Sequence, residues 1–208
     1  MTNYQKVLKI LEKDHQETML EQFSDRSKFQ MLIATMLSAR TKDKTTIPIV
    51  IKMFKKWKTP QDFLKVPLLE LEKELYGIGF YKVKAKNIKK LSQQLVDKFN
   101  SQVPETLEGM ISLAGVGRKT ANCMLNYAFG VSAIAVDVHV HRISNRLGWV
   151  KTKDPEETEE ELMKVLPRRL WSKVNMLFVN HGQKVCLPIK PKCKECKVKE
   201  YCKYYQKD

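Results

Sequence analysis

Nowhere in the 208 residues does an apolar run approach the roughly 18 that a membrane-spanning helix needs. The nearest candidate, Met31 to Leu37, is interrupted by Thr35 and followed by Ser38 and Arg40, so a helical span is excluded and no membrane partner is expected. No segment alternates apolar and polar residues over the length of a strand, which leaves sheet architectures without a signal. The opening Met1-Thr2-Asn3-Tyr4-Gln5-Lys6 has neither the apolar core of a signal peptide nor an Arg- and Ser-rich transit pattern. A soluble cytoplasmic chain is the expectation, and its compact, tail-free length suits a prokaryotic cell. Acidic residues are scarce: 23 Asp and Glu face 38 Lys and Arg, a formal charge of +15. That excess favours a polyanionic partner through counterion release and long-range steering, and a nucleic acid is the first expectation.

What is present is helical. Apolar residues recur at three- and four-residue spacing in Val7-Ile10-Leu11, Phe29-Leu32-Ile33-Met36-Leu37, Ile49-Met53-Phe54 and Ile88-Leu91-Leu95. Thr59-Pro60 and Val103-Pro104 mark helix entries, and Gly77, Gly79, Gly115, Gly117, Gly130, Gly148 and Gly182 mark turns or ends. Asp154 caps a helix with Pro155 in its first position and Glu156, Glu157, Glu159 and Glu160 near its positive end. The fold class is all-α.

Three features carry chemistry. Leu113-Ala114-Gly115-Val116-Gly117-Arg118-Lys119-Thr120-Ala121-Asn122 sets two glycines in a tight hairpin, after a short helix over 107–113 and before a longer one ending at Phe129. Such a hairpin lets backbone N–H groups approach an anion, and the following helix adds its positive end. It grips backbone without reading sequence. Cys186, Cys193, Cys196 and Cys202 have the spacing C-x6-C-x2-C-x5-C, which suits a metal in a reducing compartment; four thiolates alone fit zinc as well as an iron-sulfur cluster. Lys82, Lys84, Lys86, Lys89 and Lys90 follow the Gly77-Ile78-Gly79 turn and read equally as a second backbone grip or a solvated helix face. Cys123 reads as core, and His139, His141 and His181 lack the partners of a metal site of their own.

LAGVGRKTAN followed by AIAVDVHVHR (133–142) resembles the helix-hairpin-helix and adjoining Asp loop of the endonuclease III family of DNA glycosylases. MLSARTKD (36–43), GIGFYKVKAKNI (77–88) and the cysteine array fall in the family's order, so the resemblance spans nearly the whole chain. It implies two helical lobes: a barrel over 23–133, and a second lobe from 1–22 plus 134–208 that holds a 4Fe-4S cluster on the four cysteines. Lys119 and Asp137 are then expected to meet between the lobes.

The resemblance also implies the activity, a bifunctional DNA glycosylase and abasic-site lyase removing oxidised pyrimidines such as thymine glycol. Lys119 is the implied nucleophile at C1′. It must be unprotonated to attack, yet an ordinary lysine with pKa ~10.4 is charged at neutral pH, so its cationic surroundings and desolvation are expected to favour the neutral amine. Asp137, which also reads as an N-cap, is implied to stabilise positive charge developing on the sugar. Gly115, Val116, Gly117, Arg118 and Thr120 are the expected phosphate contacts. Arg40 and Phe80 are the expected plug and wedge at the extruded nucleotide. Both depart from the family, as Arg40 stands where bacterial members carry a plugging Gln and Phe80 takes an apolar wedge position; Ala114 stands where proline is common. The expected partner is double-stranded DNA with a damaged base or abasic site, bound by a nucleoid-associated monomer. Mismatch-directed base removal and a non-catalytic, zinc-stabilised helix-hairpin-helix binding module are the alternative readings.

Overall fold

The computed structural model describes residues 1–17 and 19–207, and no strand occurs among them. The α-helices are α1 (Asn3–Glu12), α2 (Met19–Gln22), α3 (Lys28–Ser38), α4 (Asp43–Lys56), α5 (Pro60–Lys65), α6 (Leu68–Glu74), α7 (Tyr81–Phe99), α8 (Leu107–Ile111), α9 (Arg118–Phe129), α10 (Val138–Leu147), α11 (Pro155–Val165) and α12 (Trp171–Lys184). They form two compact units, Met19–Val131 and the described residues of Met1–Thr18 with Ser132–Asp208. The sequence reading puts the breaks after 22 and 133; by contact, α2 groups with the central unit and Ser132 and Ala133 with the other.

The central unit is organised around α3. Every residue from Phe29 to Leu37 is buried, so the helix is covered on all faces and takes the middle of the unit, against α4, α7 and α9. Leu32, Ile33 and Leu37 are fully buried, each stabilising the fold by about 1.5–3 kcal/mol. Local chemistry sets the boundaries. Ser27 with Gln30 and Thr59 with Asp62 form capping boxes at the starts of α3 and α5, and Pro60 occupies a first-turn position of α5. Glu74 is clamped by Lys52 (2.9 Å) and Lys56 (2.6 Å), which ties the end of α6 to α4.

The lysines after Gly79 do not behave as one face. Lys82, Lys86 and Lys90 are exposed, whereas Lys84 is buried and Lys89 half-buried. Lys84 Nζ donates to the carbonyls of Leu37 (2.9 Å) and Ala39 (2.6 Å) and to Thr41 Oγ1 (3.3 Å). Lys89 Nζ donates to the carbonyls of Phe63 (3.0 Å), Leu64 (2.6 Å) and Val66 (2.6 Å). Lys84 thus places two of its donors on carbonyls at the C-terminal end of α3 and the third on a hydroxyl, and Lys89 places all three on carbonyls at the C-terminal end of α5, where the helix dipole is negative.

The other unit packs α1 against α12 and α12 against α10, with α11 on α10. Its core joins Val7, Leu8 and Leu11 of α1 to Val140, Ile143 and Leu147 of α10, with Trp149, Leu162 and Phe178. Tyr4 meets Trp149 edge-on at 5.1 Å, and Trp149 lies 5.2 Å from Phe178. Asp154 caps α11 by accepting from Glu157 N, with Pro155 in the first turn, as the sequence predicts. No helix among the described residues is long and apolar enough to cross a membrane.

Candidate active site and nucleic-acid interface

In the central unit, α8 and α9 flank the glycine hairpin. Gly115 has φ +79, and a Cβ there would lie 2.8 Å from Asn87 Nδ2 and 2.9 Å from Met36 Sδ; both the backbone and the space demand glycine. Gly117 differs, since a Cβ there would meet nothing within 4 Å. Gly117 is the N-cap of α9 and supplies no side-chain cap, so the first-turn N–H groups lack the side-chain oxygen that usually covers them. That leaves a helix N-terminus suited to an anion.

Gln94 of α7 secures this hairpin, a role the sequence reading missed. Its Nε2 donates to the Ser112 carbonyl (2.9 Å), and its Oε1 accepts from Ala114 N–H (2.8 Å). The second bond exists because residue 114 is alanine, as proline has no N–H to give.

Arg118, Lys119 and Thr120 form the first turn of α9. Asp43, at the start of α4, lies within electrostatic reach of Lys119: burial pushes its carboxyl above the ordinary 3.8, and the charge of Lys119 holds it back. Asp43 closes the MLSARTKD string, and nothing in that string marks it, since the charge that acts on it belongs to a residue distant in sequence.

Arg40 and Phe80 lie side by side. The Arg40 guanidinium sits 5.7 Å from the Phe80 ring centre, and Phe80 is 61% exposed, so its ring lies outside the core. Both have left-handed backbones, φ 56 and φ 58, which cost a non-glycine residue about 1–2 kcal/mol and persist only where neighbours fix them. Gly79 N donates to Thr41 Oγ1 at 3.1 Å, and a Cβ on Gly79 would lie 3.0 Å from the Arg40 carbonyl.

In the other unit, Asp137 caps α10, its Oδ1 accepting from His139 N and Val140 N at 2.9 Å each. The segment before it is buried at Ile134, Ala135 and Val136, and Asn175 Nδ2 satisfies the Ala135 carbonyl at 2.8 Å. His139 Nδ1 lies 3.0 Å from Arg142 Nη2, which also bonds the Cys186 carbonyl at 2.8 Å.

The profile of the HhH-GPD superfamily of base excision DNA repair proteins matches residues 33–168. The chain is 43% identical to endonuclease III of Thermotoga maritima over 97% of its own length and 91% of the relative's. The chain belongs to the endonuclease III family. Endonuclease III of Bacillus subtilis is 41% identical over 86% of this chain and 82% of its own. Among solved structures, a trapped endonuclease III–DNA covalent intermediate superposes with a TM-score of 0.87 at 37% identity, covering 100% of this chain and 98% of that one. A thermostable thymine-DNA glycosylase gives 0.86 at 26% identity, covering 97% and 94%. The activity is that of a DNA glycosylase and abasic-site lyase of base excision repair.

The endonuclease III family is generally iron-sulfur bound, and four cysteines of this chain lie together in its C-terminal loop. Cys186, Cys193, Cys196 and Cys202 line one cavity together with Arg146, His181 and Tyr204. Cys186, Cys196 and Cys202 pack against the core of their unit. Arg146 Nη1 donates to Cys186 Sγ (3.3 Å), Cys202 Sγ donates to the Arg146 carbonyl (3.3 Å), and His181 Nε2 is 3.6 Å from Cys196 Sγ. His181 is therefore beside the cysteines, a placement the sequence reading did not anticipate. Burial pushes the Cys196 thiol up, and the other three cysteines add to the rise, so its thiolate is favoured by a bound cation. Among the described residues, no three His, Cys, Asp or Glu side chains are placed to hold a single metal ion. Four thiols lining one cavity are the donor set of a thiolate-held metal group.

Proposed function

We propose that this chain removes oxidised pyrimidines, such as thymine glycol, and cleaves the resulting abasic site with Lys119 as the nucleophile. The position of Lys119, in the first turn of α9 behind the Gly115–Gly117 hairpin, carries the reading. A phosphate held at the N-terminal turn of α9, whose N-cap Gly117 has no side chain, brings the sugar of the target nucleotide to the lysine. The neutral Nζ attacks C1′, and the base departs with the electrons of the glycosidic bond and takes up a proton. Opening of the sugar ring gives a Schiff base at C1′; loss of a C2′ proton then expels the 3′ phosphate by β-elimination. Water hydrolyses the Schiff base and frees the lysine. Asp137 stabilises the positive charge that develops on the sugar, and Asp43, within electrostatic reach of Lys119, holds a proton near the amine. Arg40 and Phe80 enter the duplex as plug and wedge. The solved relative captured as a covalent intermediate with DNA supports the nucleophilic step.

Cys186, Cys193, Cys196 and Cys202 are proposed to hold a 4Fe-4S cluster. When bound, the cluster supplies iron–thiolate bonds that cross-link the loop and fix Lys190, Lys192, Lys194, Lys197 and Lys199 as a basic surface. A yellow-brown protein with iron and sulfide is expected; equimolar zinc without iron would overturn this assignment.

Borohydride trapping tests the main reading on two duplexes, one with a single thymine glycol and one with a single abasic site. Covalent complexes on both, lost in Lys119→Ala, are the expected result. Trapping on the abasic duplex alone would remove the oxidised-pyrimidine substrate, and none on either would remove the lyase assignment.

A further inference from the structure

Lys84 is a buried cation with no carboxylate among its hydrogen-bond partners, and nothing in the catalytic reading uses it. Its side chain leaves α7 one turn after Phe80, and its own N–H donates to the Phe80 carbonyl at 3.0 Å. The ammonium crosses to the other loop, where it meets the carbonyls of Leu37 and Ala39 on either side of Ser38 and the hydroxyl of Thr41. These contacts bracket Arg40. The Thr41 hydroxyl also accepts from Gly79 N–H, so one oxygen takes a bond from each side of the turn that presents Phe80. Three ammonium protons find three acceptors, and Arg40 and Phe80, both with left-handed backbones, are the positions the contacts enclose. Burial pushes the ammonium down to about 8, which leaves it mostly protonated at neutral pH.

We infer that Lys84 is a positioning residue that clasps the Arg40 and Phe80 loops into one rigid unit, so that plug and wedge enter the duplex together. The inference rests on the reading of Arg40 and Phe80 as inserted residues. Lys89 supplies the contrast, because it too makes three hydrogen bonds from the same helix, but all to carbonyls at the end of α5 and none to either loop. A lysine that merely stabilised the fold would behave as Lys89 does.

The test uses the whole chain and a duplex bearing an uncleavable abasic-site analogue opposite 2-aminopurine, whose fluorescence rises when the base loses its stacking partners. Arg40→Ala and Phe80→Ala report whether the loops enter DNA. Both are expected to abolish most of the fluorescence rise, and Lys84→Met to do the same. Lys84→Arg, which keeps donors toward the carbonyls, restores much of it, and Lys89→Met responds like the parent. Borohydride trapping on an abasic duplex, relative to an abasic single strand, falls about tenfold in Lys84→Met. If Arg40→Ala and Phe80→Ala lower the signal and Lys84→Met does not, the clasp is overturned and the loop reading stands. If neither of those two lowers it, the loop reading falls and the clasp with it. Should Lys84→Met fail to fold by circular dichroism, Thr41→Val removes the shared hydroxyl and keeps the ammonium. A lost signal in that variant supports the clasp, and a parental signal overturns it.

Discussion

Asp43 is a carboxyl drawn two ways, toward neutrality by burial and toward ionisation by Lys119, with burial the larger effect. Between its ordinary and its raised pKa, the folded protein holds a proton that the unfolded chain has released, so stability falls as pH climbs through that interval and stays lower at neutral pH. Asp43→Asn removes the titration. It is expected to be more stable than the parent at pH 7, an advantage that disappears below about pH 4, where both states of the parent are protonated. Urea unfolding at the two pH values checks this, and slower borohydride trapping is expected alongside. A variant equally fast would leave Asp43 without a part in the chemistry. Asp137 allows its two roles to be separated. Asparagine keeps an oxygen for His139 and Val140, so Asp137→Asn should unfold within about 1 kcal/mol of the parent while turnover drops by about 100-fold or more. Near-normal turnover in the folded variant would reduce Asp137 to a cap.

At the scale of elements, the hairpin depends on α7 as much as on its own glycines. Gln94→Ala leaves Ala114 N–H and the Ser112 carbonyl without their side-chain partner, and is expected to cost about 1–3 kcal/mol in urea unfolding and to weaken DNA binding. Most entries and ends of helices were legible because their signals are local: Thr59-Pro60, Asp154-Pro155, Gly130 and Gly148 all stand at helix boundaries, whereas Gly182, expected at a turn or end, lies buried inside α12. The string from Leu113 to Asn122 likewise carries its own geometry. Gln94, Asp43 and Lys84 were not legible, since each acts on a partner distant in sequence. The Lys84 side chain reaches back 47 residues to Leu37. A lysine bound for a buried helix end looks, in a run of lysines, like its solvated neighbours. His181 was missed for the same reason, lying 15 residues from Cys196.

For the whole molecule, the formal charge of +15 makes DNA affinity a function of salt. The logarithm of the binding constant should fall linearly with the logarithm of salt concentration, by about 0.9 for each phosphate neutralised. Arg118→Ala is expected to reduce that slope by about one and to weaken damaged and undamaged duplexes alike; an unchanged slope would take Arg118 off the phosphates. The order of the two units along the chain bears on synthesis. α1 precedes the entire central unit, yet the helix it packs on, α12, follows it. On a ribosome adding about 5–20 residues per second, the partner of α1 emerges roughly ten to thirty seconds later. During that interval the central unit can fold within an already contiguous segment, while Val7, Leu8 and Leu11 have no core to enter. The apolar stripe of α1 is thus a stretch for a chaperone to cover during translation, and a ribosome stalled before α12 would leave it exposed.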